Sequence, residues 1–453
     1  MAYNTAVMEA VESLKYRVTV GDVATQSGLE LAVAQQGLNA LAADTQAHLQ
    51  VSDTGEIAYE FPKSFRAILR NKYWRLRLQE TWERIWSVLF YLIRISFGIL
   101  LIVSILVIVV AILVLVIAAQ AASQKDDDRG GGGGFGGGFG GGGMVFMPRF
   151  WIGDLFWLFH YDPYYSRRSP SRRASRPNRS GRADDGMNFL EAIFSFLFGD
   201  GDPNADLEER RWQEVGAVIQ NNGGAIAAEQ VVPYLDDLGK GWSQEDEDYI
   251  LPVLTRFNGV PEVSPQGDII YHFPELQVTA QKQRGRIAVP AYLKEAPRKF
   301  SEAKMGQLSG AIALGVFNFL GAIVLGVMLQ DQALVAEIGG FIGFVNAIYW
   351  VILAYGAGFL AIPAGRYFWT NRKNSQIESR NEQRQERALA LNAAGPELDE
   401  KITFAQQFAA QTVVSADDLA YTTEKDLTEQ EYEQRDKLDA EWQKRLESSE
   451  DAT

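Results

Sequence analysis

The sequence predicts a mainly α-helical membrane protein with α+β parts: two winged-helix-like repeats, three or four membrane-embedded helical segments and a helical carboxyl-terminal tail. Three observations lead to this fold class. An uncharged apolar run from Phe97 to Ala119 is long enough, as a helix rising about 1.5 Å per residue, to cross a hydrocarbon core roughly 30 Å thick. Residues 1–62 and 206–277 share a pattern of short helices closed by a β-hairpin. A second apolar region, residues 308–365, has the pattern of a helical hairpin.

Residues 1–62, repeat 1, are predicted to form three short helices and a hairpin with its turn at 53–55. Apolar residues at helical spacing indicate the helices, and alternating apolar residues on both sides of the turn indicate the strands. The helical positions are Val7, Met8, Val11 and Leu14 in the first helix, residues 21–25 in the second, and Leu31, Leu38 and Leu41 in the third, which spans 29–43. The strand positions are Leu49, Val51, Ile57, Tyr59 and Phe61.

Residues 206–277, repeat 2, have the same pattern. Their helices are predicted over residues 212–219, 224–232 and 249–257. The two hairpin sequences, VSDTGEIAYEFP and VSPQGDIIYHFP, are identical at seven of twelve ungapped positions, and their apolar positions are in phase. We interpret this agreement as an internal duplication.

The charge of the repeats argues against DNA binding. The chain carries a net charge of −14 at pH 7, and repeat 1 contains eight acidic and two basic side chains. Repeat 2 contains fourteen acidic and four basic ones. Contact with phosphates requires Lys and Arg on the docking face. We therefore expect the repeats either to bind other proteins or to act as structural packing modules, and we do not expect nucleic acid as a partner.

Basic and aromatic residues before the first apolar run predict the orientation of the chain. Residues 63–120 form a basic connector and the first transmembrane helix. Lys and Arg accumulate on the cytoplasmic side of membrane helices, and Trp is enriched at the interface. Repeat 1 is therefore predicted to be cytoplasmic, and residues 278–307 form a second basic connector. The residues concerned in the first connector are Lys63, Arg66, Arg70, Lys72, Arg75, Arg77, Trp74, Trp82 and Trp86.

Residues 308–365 are predicted to cross the membrane twice, with both ends in the cytoplasm. Small residues four apart allow helix backbones to approach closely, and amide side chains can hydrogen-bond across the interface. The predicted packing residues are Gly339 and Gly343, Ala311 and Gly315, and the amides Asn318 and Asn346. A polar substrate pathway is the alternative interpretation of the two amides, but no acidic or basic side chain accompanies them in the spans.

Residues 121–205 form a linker that must return the chain across the membrane if both repeats lie on one side. We favour a return through residues 144–161; residues 188–198 are the other candidate, and both are rich in interfacial aromatics. Without a return, the repeats face opposite compartments. The glycine-rich stretch 130–143 is predicted to be a flexible linker rather than a phosphate-binding loop. Anionic lipid or an acidic partner is predicted to bind the arginine-rich stretch that contains Arg167, Arg168, Arg172, Arg173 and Arg176.

The sequence does not predict an enzyme. Cysteine is absent and the three histidines are far apart, so we expect no thiolate nucleophile, metal site or bound cofactor. Residues 366–453 form a polar, helical tail. In this tail, Phe404, Phe408 and Val413 are predicted to pack on the repeats or on a partner.

Four stretches carry a resemblance to a known family: FWIGDLFWLFHYD at 150–162, MNFLEAIFSFLFGDGDPN at 187–204, RYFWTNRKNSQIESRN at 366–381 and YTTEKDLTEQEYE at 421–433. The chain resembles a family of uncharacterised integral membrane proteins of cyanobacteria and chloroplasts, which are often labelled automatically as iron–sulfur cluster biosynthesis proteins. The resemblance implies a thylakoid or plasma membrane location. It implies no catalytic residue. Because this chain has no cysteine, the label is compatible only with delivery to, or assembly on, the cysteines of a partner.

These observations together predict a membrane-anchored adaptor or assembly factor that presents two acidic winged-helix domains on the cytoplasmic side. We expect its partners to be the membrane, anionic lipid, proteins of membrane complexes and a possible second copy of the chain. A membrane-bound transcription regulator is one alternative, and it requires a basic third helix. A small transporter or lipid-handling subunit is the other, and it requires a polar pathway through the spans.

Overall fold

The computed structural model describes residues 4–72, 74–126, 187–236, 247–280, 286–393, 395–415 and 419–430, together with residues 432, 435 and 442. The described chain is mainly helical and contains some antiparallel sheet. It divides into two compact units, each assembled from separate stretches of sequence. Unit 1 comprises Met1–Thr81, Pro203–Pro297 and Ser375–Thr453, and unit 2 comprises Trp82–Asp202 and Arg298–Asn374. Both repeats and most of the carboxyl-terminal tail therefore belong to one unit.

Repeat 1 folds as three helices and a small antiparallel sheet. Its elements are α1 (Thr5–Ser13), β1 (Arg17–Val18), α2 (Val20–Ser27), α3 (Leu31–Thr45), β2 (His48–Ser52) and β3 (Ile57–Glu60), followed by α4 (Phe65–Lys72). The helices form where expected because their apolar faces are buried: Val7, Val11 and Leu38 are each at most 1% exposed. A capping box between Thr19 and Asp22 begins α2.

Repeat 2 has the same order of elements, but its first helix is longer than α1 and its second and third helices are shorter than α2 and α3. Its elements are α7 (Leu207–Asn221), β4 (Ala225–Ala227), a 3-10 helix (Ala228–Tyr234), a 3-10 turn (Asp248–Ile250), α8 (Leu251–Phe257), β5 (Val260–Val263) and β6 (Ile269–His272). They are followed by α9 (Pro274–Gln277) and β7 (Val278–Thr279).

The predicted second helix of repeat 2, residues 224–232, was wrong. A short strand and a 3-10 helix occupy this stretch, because Gly223 and Gly224 adopt left-handed backbone and Pro233 cannot donate a helical hydrogen bond. The predicted third helix starts late for a similar reason. Pro252 lies in the first turn of α8, where its missing N–H costs nothing, and the preceding residues form only a 3-10 turn.

The two repeats agree in backbone detail beyond their sequence identity. Their sheets have the strand orders β1-β3-β2 and β4-β6-β5. Their hairpins pair in one register: Leu49–Tyr59 corresponds to Pro261–Tyr271, and Val51–Ile57 to Val263–Ile269. Left-handed backbone also recurs at matching positions, which are Lys15 and Gly223, Tyr16 and Gly224, Gln46 and Asn258, and Gly55 and Gly267.

The two repeats share one hydrophobic core. Helix α2 of repeat 1 packs against α7 of repeat 2, and a single cluster of buried apolar residues runs through both repeats. Two glycines make the close approach possible. A Cβ on Gly21 would lie 2.1 Å from the Glu275 carbonyl oxygen, and one on Gly216 would lie 3.1 Å from the Thr25 side chain. The repeats therefore form one compact body rather than two separate domains joined by a linker.

The carboxyl-terminal segment packs on both repeats. It contains α13 (Pro396–Gln407), β8 (Thr412–Val413) and β9 (Leu419–Thr422). Strand β9 extends the sheet of repeat 1 by pairing with β2, and β8 pairs in parallel with β7. Helix α13 covers β4 and β6 of repeat 2, where the Phe408 ring packs edge-on against His272. Phe408 thus packs on repeat 2, as one of the two sequence interpretations expected, whereas Val413 pairs with Thr279, just beyond that repeat.

Unit 2 contains the apolar helices. Its helical elements are α5 (Trp74–Asp126), α6 (Phe189–Phe198), α10 (Met305–Met328), α11 (Gln332–Ile338) and α12 (Gly340–Asn392), of which α5 and α12 continue into the sequence of unit 1. By length and composition, three described helices, α5, α10 and α12, are apolar enough to cross a membrane. The predicted return segment 144–161 lies outside the described residues, and the other candidate, 188–198, contains α6.

Candidate functional site

The junction of the two repeats is fixed by Arg256, the one basic residue of α8. Its Nε donates to the Gly28 carbonyl oxygen at 2.9 Å, and its guanidinium carbon lies 4.4 Å from the centre of the Trp212 ring. Burial lowers the pKa of Arg256, while Glu30 and Glu208 act in the opposite direction. Gly28 has left-handed backbone, and a Cβ there would lie 2.7 Å from the Glu209 carbonyl oxygen. The loop at Gly28 of repeat 1 is therefore held against helices α7 and α8 of repeat 2.

A concavity of about 390 Å³ lies beside the contact between Arg256 and the Gly28 loop. Repeat 1 contributes one residue to it and repeat 2 contributes the rest. The lining residues are Glu30, Trp212, Leu251, Pro252, Thr255 and Arg256. Leu251, the first residue of α8, is 56% exposed although it is a large aliphatic side chain. The site combines an apolar wall with an acidic rim, and its one guanidinium is already engaged.

The outer edges of the two sheets differ. In repeat 1, the Leu49 N–H donates to Thr423 Oγ1 at 2.8 Å, and the Thr423 N–H donates to the Leu49 carbonyl at 3.0 Å. In repeat 2, the corresponding residue is Pro261, which has no N–H to offer. Strand β5 is an edge strand, and Val263 on it is 63% exposed.

A buried ionic cluster lies where α13 covers repeat 2. Lys401 is 2% exposed, and its Nζ donates to Glu229 Oε1 at 2.9 Å and to Glu247 Oε1 at 2.5 Å. Burial alone would lower the pKa of Lys401, but its hydrogen bonds to the two glutamates outweigh burial and raise it. Tyr271 donates from its hydroxyl to Glu247 at 2.7 Å. Burial, with this bond to a carboxylate, raises the pKa of Tyr271.

A second buried cluster joins the last turns of α12 to repeat 2. Arg384 is 1% exposed and pairs with Asp236 at 2.5 Å and with Glu295 at 2.9 Å. Arg380 binds the same Glu295 with two hydrogen bonds, of 2.7 and 2.6 Å. Burial would raise the pKa of Glu295, but the hydrogen bonds from Arg380 and the nearby Arg384 charge outweigh it and lower that pKa.

Glu214, on α7, lies close to Arg384 and to Arg210 but makes no ion pair at Oε2. Burial raises its pKa to about 7, while the charges of Arg210 and Arg384 pull in the opposite direction. Its Oε2 is buried and has no hydrogen-bond partner among the described residues. Burial therefore favours the protonated form of this carboxyl group.

Sequence patterns did not identify these clusters. Lys401 lies 172 residues from Glu229 and 154 from Glu247, so no local spacing links them. The difference between Leu49 and Pro261 was visible once the hairpins were aligned, but its meaning depended on β9. Among the described residues, no group of three or more acidic or histidine side chains could hold a metal ion. His48 and His272 lie in β2 and β6, and His160 lies outside the described residues.

The structure brings together some of the predicted packing residues. Ala311 is fully buried, and a Cβ on Gly315 would lie 2.5 Å from the Phe359 ring, so this side of α10 packs tightly on α12. The expected bond between Asn318 and Asn346 is not formed. Asn318 instead accepts a hydrogen bond from Ser104 of α5 at 2.8 Å, because its side chain points toward that helix.

The predicted packing of Gly339 and Gly343 was wrong for contacts within the described chain. Gly339 ends α11 with left-handed backbone and an N–H to carbonyl bond to Val335, so it does not lie in the same helix as Gly343. A Cβ on Gly343 would have no described atom within 4 Å. The residues Arg167, Arg168, Arg172, Arg173 and Arg176 lie outside the described residues.

One polar cluster holds α6 against the apolar helices of unit 2. Arg366 of α12 donates from Nη2 to the carbonyl oxygens of Ser195 and Phe196, at 3.1 and 2.9 Å, and so caps the carboxyl end of α6. Asp200, just beyond that end, pairs with Arg94 of α5 at 2.5 Å. Phe97 and Phe194 pack tilted at 5.8 Å in the same region.

Comparison with known proteins identifies one informative relative. No protein-family model matches the chain, and no solved structure matches it. The chain is 38% identical over 439 residues to an uncharacterized chloroplastic protein of Arabidopsis thaliana, an alignment that covers 94% of this chain and 80% of that protein. The relative's name does not mention iron–sulfur clusters. A chloroplastic relative and three apolar helices are compatible with a thylakoid membrane location. The chain belongs to the family of this chloroplastic Arabidopsis protein.

Proposed function

We propose that the protein is a membrane-anchored adaptor or assembly factor, in which two acidic winged-helix domains form one body that binds proteins of a membrane complex. The order of helices, strands and hairpin in each repeat supports the winged-helix proposal. The shared core supports a single, rigid binding body, because neither repeat can move without opening that core. A thylakoid membrane is the proposed location.

The observation that carries the proposal is the chemistry of the third helices. In DNA-binding domains of the helix-turn-helix type, the recognition helix enters the major groove and needs cationic side chains around it. Helix α3 contains no Lys, Arg or His, and α8 contains only Arg256, which is held by Trp212 and Gly28. The transcription-regulator alternative therefore lacks its docking chemistry. Protein binding and structural packing remain, and of these two we propose protein binding.

The arrangement of unit 2 supports insertion into a membrane. The start of the apolar part of α5 packs with α6, the start of α10 and Phe359 of α12. Its later part, at Leu115, packs with the end of α10 and with Val335 between α10 and α12. Helices α5 and α10 therefore run in one direction and α12 in the other. We propose that all three span the bilayer, with the Arg94–Asp200 pair at its cytoplasmic face.

This arrangement requires a return between α5 and α6, since the later part of α5 lies at one end of the bundle and α6 packs at the other end, where the apolar part of α5 begins. We propose that residues 144–161, the segment that the sequence favours, make this return. The proposed sidedness can be tested because the chain has no cysteine, so single cysteines can be introduced and labelled with a membrane-impermeant maleimide. Glu302→Cys should react from the cytoplasmic side and Gln332→Cys from the opposite side. Labelling of both positions from one side would contradict the arrangement.

The experiment that tests the function is quantitative affinity purification from photosynthetic membranes. A carboxyl-terminally tagged protein is extracted in mild detergent, and co-purifying proteins are compared with those bound by an equally tagged, unrelated three-helix membrane protein. A defined membrane complex or its assembly intermediate in stoichiometric amount supports the adaptor. A chain that purifies alone, or as a homo-oligomer, contradicts it. If the client is an iron–sulfur protein, the cysteines must come from that client, because this chain contains none.

A further inference from the structure

We propose that the concavity between the repeats is a docking site for a basic segment of a partner protein, which inserts one apolar side chain against Trp212 and Leu251 and places Lys or Arg beside Glu30. This inference rests on the adaptor function and names the chemistry of the partner. It assigns a role to an exposed apolar surface that the fold itself does not use.

The concavity is rigid before anything binds. Repeat 1 contributes Glu30 and repeat 2 contributes the other lining residues, and the two repeats are joined through the shared core. The Arg256 side chain is held at both its Nε and its guanidinium face, so it forms part of the wall rather than a mobile charge. A preformed site loses little conformational entropy on binding, which favours its use in recognition.

The wall offers the kind of surface that anchors protein interfaces. Leu251 is 56% exposed at the start of α8, next to Pro252 and the half-buried Trp212. An exposed Leu beside a Trp gains from burial by an apolar side chain, and a buried anchor of this type carries most of the energy in many interfaces.

The charge of the rim selects a basic partner. Glu30, the one acidic residue that lines the concavity, is exposed. Glu208 does not line the concavity but lies near Arg256, and its side chain is 70% exposed although it pairs with Arg211. The surrounding repeats carry a large excess of acidic side chains, which outweighs the one positive charge in the concavity, that of Arg256. An acidic segment would be repelled here, whereas Lys or Arg next to the apolar anchor would be attracted.

The main competing mode of binding is addition of a peptide strand to the β5 edge of repeat 2, and this edge is poorly suited to it. An extended peptide that adds to a sheet needs free N–H groups along the edge strand. Pro261 occupies the centre of the β5 edge, at the position where Leu49 of repeat 1 donates to the tail. The partner therefore docks through side chains in the concavity rather than as an added strand.

The experiment uses the full-length protein in nanodiscs of phosphatidylcholine. This lipid has no net charge and so does not attract a basic probe electrostatically. Fluorescein-labelled, 16-residue amphipathic peptides of Leu and Lys are compared by anisotropy with peptides in which Glu replaces Lys or Ala replaces Leu. We expect the Leu–Lys peptide to bind, and each control peptide to bind at least about tenfold more weakly. Equal binding of the Leu–Lys and Leu–Glu peptides would overturn the proposal.

Variants locate the binding site. Leu251→Asp should weaken binding of the Leu–Lys peptide by at least about tenfold, and Glu30→Lys by roughly threefold. Val263→Asp, an equally exposed aliphatic on the β5 edge, is the matched control and should bind like the wild type. Circular dichroism melting checks that all three variants are folded. Leu251→Asp binding like Val263→Asp would overturn the site.

Two further outcomes separate this inference from the proposed function. If a membrane complex co-purifies equally with wild type and Leu251→Asp, the adaptor function stands and the docking site is wrong. If the peptide binds only after the arginines of residues 167–182 are replaced by Ser, the chain's own basic stretch fills the concavity, and a partner segment there is overturned. Loss of the complex specifically in Leu251→Asp supports both proposals.

Discussion

Repeat 1 and repeat 2 form the same three-stranded sheet in the same register, yet the tail treats them differently. It adds a strand to the edge of repeat 1 and lays a helix across repeat 2. One position accounts for the first difference, because Leu49 has an outward N–H and Pro261 does not. After a duplication, a single residue can therefore decide whether another strand pairs with the edge of a sheet or the edge strand stays unpaired.

The two parts of the tail that cover the repeats are also held by different interactions. On repeat 1 the contacts are main-chain hydrogen bonds and small apolar residues such as Ala58 and Val414. On repeat 2 they include a buried lysine between two glutamates. Main-chain pairing tolerates many side chains, whereas a buried charge cluster tolerates few. The two halves of the tail should therefore respond very differently to substitution.

The largest effect is expected from Lys401→Met. It leaves Glu229 and Glu247 buried without their cation, which should cost about 3–5 kcal/mol. Amide hydrogen exchange should then accelerate in β6 and α13 but not in β3 of repeat 1. The triple variant Lys401→Met, Glu229→Gln, Glu247→Gln removes all three charges and should recover most of the protection. Unchanged exchange in β6 of the single variant would show that the cluster does not hold the tail helix.

Leu49→Pro should convert the edge of repeat 1 into that of repeat 2. It removes the N–H that donates to Thr423 and should weaken docking of β9 by about 1–2 kcal/mol. Hydrogen exchange at residues 419–422 measures the effect, and Leu49→Val, which keeps the N–H, is the control. If both variants protect β9 equally, the proline explanation of the asymmetry fails.

Glu214→Gln tests an acid that only repeat 2 carries, since the matching residue of repeat 1 is Ala6. The folded pKa of Glu214, about 7, lies above its ordinary value of 4.5, so the folded state holds the proton more tightly. Stability is therefore expected to fall as pH rises from about 4.5 to about 7, by roughly 1 kcal/mol after allowance for partial exposure. The melting temperature of Glu214→Gln should vary less between pH 5.5 and pH 8 than that of the wild type. An identical pH profile would contradict the assignment.

Pro261→Leu is the reciprocal of Leu49→Pro and should have the smallest effect on stability, within about 0.5 kcal/mol, because the edge is exposed. Its effect should appear in association, since the new N–H completes an open edge strand. Sedimentation velocity should show more dimer or larger species than in the wild type. A monodisperse variant would indicate that the edge is protected by something other than Pro261.

Sequence periodicity predicted most of repeat 1, because its helices bury regular apolar faces and its hairpin alternates cleanly. It predicted repeat 2 less well, where Gly223, Gly224 and Pro233 override the helical pattern with local backbone constraints. The Gly339–Gly343 pattern misled because spacing alone does not tell whether two glycines share a helix. The ionic clusters of the candidate sites join residues over 80 positions apart, and no local pattern encodes such a pairing.

The pairing of β9 with β2 has a consequence for synthesis. Leu49 and Thr423, which bond in the folded protein, are separated by 374 residues. At about 5–20 residues per second, the ribosome needs roughly 20–75 s to make the second partner after the first. During that interval the edge of repeat 1 emerges unpaired while the apolar helices are being made. The sheet of the amino-terminal repeat can thus be completed only after the carboxyl-terminal tail has been made.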